Sequence, residues 1–117
     1  MFGLGNLGQL AGLMKNMPKI KEEMDNLQQR IAQITAEGDA GAGMVKVRVN
    51  GRFEVVACTL SEEALRLNDK EMLEDLIKAA VNQGITKARQ QTAEETEKMA
   101  TSLGLPAGMV KLPGMPG

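Results

Sequence analysis

Between Leu10 and Ile34, eight apolar residues recur at intervals that alternate three and four: Leu10, Leu13, Met17, Ile20, Met24, Leu27, Ile31 and Ile34. This is the a/d spacing of a helix with a narrow packing seam, and its length constrains the fold more than any other feature. At 1.5 Å per residue such a helix spans roughly 37 Å, whereas a seven-residue strand covers only about 23 Å. A chain of 117 residues has the size of one ordinary domain, so this helix must outrun any sheet it packs on. The seam can serve as intramolecular core or as a coiled coil. Pro18 lacks a backbone donor; either the helix kinks there, or its firm part starts with Pro18 in the first turn.

The pattern then changes period. Val45, Val47 and Val49 alternate with Lys46 and Arg48 and run into Asn50-Gly51, a strong hairpin signal. A two-residue loop would set Arg52 and Glu54 on the valine face, a poor core. A three-residue loop aligns Phe53 and Val55 with it instead, and a later bulge brings Cys58 and Leu60 inward, so a longer or bulged hairpin is expected. The segment 34–40 (ITAEGDA), followed by Gly41-Ala42-Gly43, supplies a leading strand.

After the strands, Ser61 can cap a short turn through Leu65, and Asn68 with Glu71 makes a capping-box-like start for a second long helix. Leu73, Leu76, Ile77, Ala80, Val81, Gly84 and Ala88 fall within one arc of it. Beyond Ala88 that arc turns polar, with Met99 and Leu103 as sparse contacts. The reading is an α+β fold of order α-β-β-β-α: a three-stranded antiparallel sheet with two long helices projecting beyond it at the same end. Residues 1–8 are read as a flexible leader, 9–103 as a single domain, and 104–117 as a flexible Met/Pro/Gly tail.

A glycine within a helix costs about 0.5–1 kcal/mol relative to alanine, yet Gly84 stands on the apolar arc. With Ala80 and Ala88 it makes a ridge of small residues, at which the sheet or a partner subunit's helix can approach closely. The expectation is that Gly84→Ala is tolerated and Gly84→Leu disrupts folding or dimerisation.

Several function classes are excluded or disfavoured. There is no His or Tyr and one Cys, Cys58, so no intrachain disulfide or cysteine metal cluster can form. That fits a reducing compartment. Gly3-Leu4-Gly5-Asn6-Leu7-Gly8 matches GxGxxG but has no strand before it, as a dinucleotide site requires. Adjacent acids such as Glu22-Glu23 and Glu94-Glu95 diverge on a helix. No catalytic site, cofactor or metal is expected. Neither a signal peptide nor a membrane span is read, which makes a cytoplasmic protein the default.

The segments GAGMVKVRVNG (41–51) and DKEMLEDLIKAAVNQGITKA (69–88) resemble the YbaB/EbfC family of bacterial nucleoid-associated proteins. The Met-, Lys- and Gln-bearing first helix and the Met/Pro/Gly tail extend the resemblance over nearly the whole chain. Asp69, Leu73, Asp75, Leu76, Ala79, Ala80, Asn82, Lys87 and Ala88 carry its most specific part, while Gly84 departs from the alanine more usual there. The resemblance implies an α-β-β-β-α homodimer that binds double-stranded DNA through protruding helices, encoded beside recombination and replication genes.

Charge distribution points the same way despite a net charge of −1. Residues 9–21 hold Lys15, Lys19 and Lys21 without an acid, and residues 84–93 hold Lys87 and Arg89 without one. The expected fold brings the two stretches together on the projecting helices, where they would neutralise phosphates rather than read bases. Glu94, Glu95 and Glu97 limit the patch. Lys46, Arg48 and Arg52 are read as the solvent face of a one-sided sheet. The alternative is an interaction module that clasps recombination or replication proteins, with incidental DNA contact.

Overall fold

A computed structural model describes residues 4–104; residues 1–3 and the tail 105–117 lie outside the described residues. Helix α1 (Leu4–Ala32) leads into strands β1 (Thr35–Ala40), β2 (Val45–Asn50) and β3 (Val55–Leu60), then a short α2 (Glu62–Arg66) and a long α3 (Lys70–Ser102). The strands form one antiparallel sheet in the order β1-β2-β3. This is the α-β-β-β-α, α+β architecture expected. The molecule measures 71 × 26 × 16 Å with a radius of gyration of 20.4 Å, against about 13 Å for a compact domain of this length. The helices overshoot the sheet.

Local chemistry explains most boundaries. α1 begins at Leu4, inside the stretch read as a leader, and runs through Pro18 without starting there. Gly5 and Gly8 of the GxGxxG match therefore lie within a helix. Ser61 caps α2 as expected, its Oγ accepting from Ala64 N at 3.0 Å. The cap of α3 is one residue later than expected: Asp69 Oδ1 accepts from Met72 N at 3.1 Å. Asn68 has φ +48°, a left-handed conformation that suits the turn rather than a cap.

The core lies between the sheet and α3. Val45, Val47 and Val49 are buried, with Ala36, Ala80 and Ala88, and Lys46 and Arg48 point to the open face. α3 crosses at a point where neither backbone carries a side chain outward. A Cβ on Gly38 would collide with the Ala80 carbonyl oxygen and sit 2.8 Å from Gly84 N. On Gly84 it would lie 2.8 Å from Val49 Cγ2. The small-residue ridge thus receives the chain's own sheet. Even alanine at position 84 requires a buried, β-branched neighbour to give way, which revises the expectation that this change is tolerated.

Past the sheet, the buried face of α3 is not where the apolar arc placed it. Ala80, Gly84, Ala88, Thr92, Thr96 and Ala100 are all buried and follow at four-residue steps. Each step overshoots a full turn by about 40°, so the ridge winds halfway around the helix and turns from the sheet toward α1. Thr92 and Thr96 fit this seam because their hydroxyls donate to the Ala88 and Thr92 carbonyls, each at 2.9 Å, leaving only methyl groups to pack.

The two sheet edges differ. At β1, Asp39 N donates to Gln83 Oε1 of α3 at 2.6 Å. β3 is barely reached by α3. Val55 and Val56 are exposed there, and Cys58, opposite Val47 on the core side, is exposed rather than buried as expected. Leu60 does pack on the core.

Candidate nucleic-acid interface

The relative reach of α1 and α3 decides where the basic residues lie. Arg30 Nε donates to Glu95 Oε2 at 2.9 Å, which aligns the antiparallel helices. α3 ends at Ser102, seven residues beyond that pair, whereas α1 extends 26 residues from Arg30 back to Leu4. α1 therefore has about 30 Å of axis with no α3 beside it.

Lys15, Lys19 and Lys21 are exposed on that free length. Lys15 and Lys19, four apart, share a face; Lys21 points away from them. The seam fades along the same stretch: Leu27 is 2% exposed, Met24 44% and Met17 58%, with neighbouring Met14 at 74%.

Lys87 and Arg89 are exposed as well, but at the level of the sheet. The two basic stretches do not meet within one chain. They stand roughly 20–35 Å apart along the helix axes, because α3 spends its shorter overhang packing against the C-terminal part of α1 around Arg30. Between them are Glu94, Glu95 and Glu97; Glu95 is held by Arg30 and, at 3.5 Å, by Lys98. Among the described residues, none of the five expected DNA-contacting cations is engaged in an ion pair.

The open sheet face is electrically balanced. Register places Glu37 opposite Arg48 and Asp39 opposite Lys46. Arg52 is separate from that face and stands on the β2–β3 turn, next to Phe53, whose ring lies 5.7 Å from the Arg89 guanidinium carbon. Sequence reasoning assigned Phe53 no such role. The available signal was its rarity, since Phe2 is the only other aromatic residue.

A model of the YbaB/EbfC DNA-binding family matches residues 6–103. The chain belongs to that family. The match takes in nearly all of both long helices and the whole sheet, and the family is one of nucleoid-associated DNA binding. A crystal structure of the uncharacterized protein HP0035 from Helicobacter pylori is similar in fold, with a TM-score of 0.54 and 24% sequence identity over 67% of this chain and 90% of that one. Among the described residues, no group of acidic or sulfur ligands is arranged to hold a metal ion, and no helix is long and apolar enough to cross a membrane. The described residues thus carry one basic stretch on the free length of α1 and another, Lys87 and Arg89, at the level of the sheet, with Glu94, Glu95 and Glu97 between them.

Proposed function

We propose that the protein is a non-catalytic, homodimeric, nucleoid-associated protein of the cytoplasm that holds duplex DNA by its phosphate backbone. Lys15, Lys19 and Lys21 on the free length of α1 make the principal contacts, with Lys87 and Arg89 nearer the sheet. One observation carries this reading: three exposed lysines without an intervening acid occupy the length of α1 that α3 does not reach. Such cations release condensed counterions from DNA and confer affinity without base readout. Mobility-shift titration over a salt series tests it. Undetectable binding at low salt, or binding unchanged when all five residues become alanine, refutes it.

The dimer face is taken to be the side of β3. Val55, Val56, Leu65, Leu67 and Met72 are between 40% and 58% exposed, and β3 is an unprotected sheet edge. Ala80, Gly84 and Ala88 are occupied by the chain's own sheet and do not take part. Light scattering at micromolar concentration should give twice the chain mass, and Val56→Asp should reduce it to a monomer without unfolding.

A second reading has its own support in the exposed Met14, Met17 and Met24. Methionine surfaces adapt to varied partners, as a clasp on a recombination or replication protein would require. Capture of such a defined partner at high salt, after nuclease treatment, would favour it.

A further inference from the structure

The β2–β3 turn is built more rigidly than a hairpin tip needs to be. Asn50 Oδ1 accepts from Arg52 N at 2.9 Å and from Glu54 N at 3.0 Å, and Phe53 N donates to the Asn50 carbonyl at 3.0 Å. Gly51 is buried against the Ile31 carbonyl of α1, where a Cβ would collide. The tip is thereby locked to the base of the projecting helices.

Phe53 occupies the left-handed position of this three-residue loop, with φ +64°, a place that favours glycine or asparagine. A bulky residue there is a marked outlier, and such outliers are a starting point for a functional hypothesis. Its ring is half-buried against the core and lies beneath Arg89. A cation–π contact of this kind uses none of the guanidinium's hydrogen bonds, which leaves its N–H donors for a bidentate grip on phosphate. Arg52, exposed on the adjacent residue, adds a second guanidinium. The one acid of the tip, Glu54, accepts from Asn50 Nδ2 at 3.2 Å. The tip therefore carries excess positive charge, unlike the paired charges of the open sheet face.

We propose that this turn is a second phosphate-binding station: Arg52 and Arg89 take duplex phosphodiester oxygens, and Phe53 is the positioning residue for Arg89. The assignment rests on the DNA-binding reading above. Gly51 touches α1 at Ile31, so the turn lies about 15–25 Å along the helix from Lys21, Lys19 and Lys15, with the Arg89 backbone within the longer range given above. That distance corresponds to several base pairs at about 3.4 Å each.

The test is a salt-dependent duplex titration of the full chain and its variants, each checked by thermal melting. Arg52→Ala, outside the core, should weaken binding about two- to fivefold and lower the salt slope by about one per site. Phe53→Asn, which tolerates the backbone conformation, should match Arg89→Ala, and the double variant should be no weaker than either single one. Phe53→Tyr should restore wild-type behaviour. Wild-type affinity and slope in both arginine variants, alongside abolished binding when Lys15, Lys19 and Lys21 become alanine, overturns the station and leaves the α1 reading standing. Full activity of Phe53→Asn beside a weakened Arg89→Ala overturns the positioning role. A wild-type chain that fails to bind duplex overturns both readings.

Discussion

The first half of α3 and the free half of α1 carry equally regular apolar stripes and meet opposite fates. On α3 the stripe narrows to Ala80, Gly84 and Ala88, which are buried where the helix is seated on the sheet, with Leu73, Leu76, Ile77 and Val81 half-buried beside them. On α1 the stripe residue Met17 is exposed by more than half, as is its neighbour Met14, with Lys15 between them and Lys19 and Lys21 following. Periodicity makes both segments helical. Burial is decided by the small residues, which let backbones touch, and by lengths, since α3 ends before it can cover the rest of α1. The covered helix carries the architecture, and the uncovered one is available to a partner.

The sharpest way to break this contrast is at the crossing point. Gly38→Ala should destabilise the fold by about 3 kcal/mol or more, because its Cβ meets the Ala80 backbone, which cannot rotate away as a side chain can. Denaturant unfolding measures this, and a near-native midpoint would mean that the crossing is looser than it looks. On the other side of the comparison, changing Lys15, Lys19 and Lys21 together to alanine should leave unfolding unchanged within about 0.5 kcal/mol. The salt slope of DNA binding should fall by about 0.9 for each phosphate that the variant no longer neutralises. If that variant is also strongly destabilised, the free length of α1 is not free.

Gly84→Ala probes a finer balance. Gaining a better helix former returns up to about 1 kcal/mol, while crowding Val49 costs about 1–3 kcal/mol. A net loss of about 1 kcal/mol is expected from thermal melting, with partial recovery when Val49→Ala is added. Gly84→Leu should abolish folding. The smallest effect is expected at Thr96→Val, an isosteric change at a hydroxyl bonded only to a carbonyl within its own helix; it should stay within about 0.5 kcal/mol.

These contrasts also mark what can be read from the chain alone. The strict three-four spacing announced α1, and the valine–lysine–arginine alternation announced β2 and its inner face. The need for Phe53 and Val55 to fall on the right side required a bulged hairpin. The register shows it, with Val49 opposite Val55 and Arg48 opposite Ala57. The course of α3 past the sheet was hidden because its ridge continues through Thr92 and Thr96, which look polar until their hydroxyls are turned inward on their own helix. Cys58 was misjudged for a related reason: alternation assigns a residue to a face, but only the line taken by α3 determines which strands that face covers. The separation of the two basic stretches had the same origin: they were expected to meet on the projecting helices, but Lys87 and Arg89 flank Ala88 where α3 still packs on the sheet.

The unequal sheet edges bear on how many copies can come together. A sheet that offers backbone pairing along both sides can add neighbours without limit, as a fibre does. Here Gln83 occupies a donor of the β1 edge, while β3 remains unpaired on its outer side. If copies pair through β3, as in the dimer proposed above, the freer edge is consumed, and any further copy has to approach the β1 side, where Gln83 already holds the Asp39 donor.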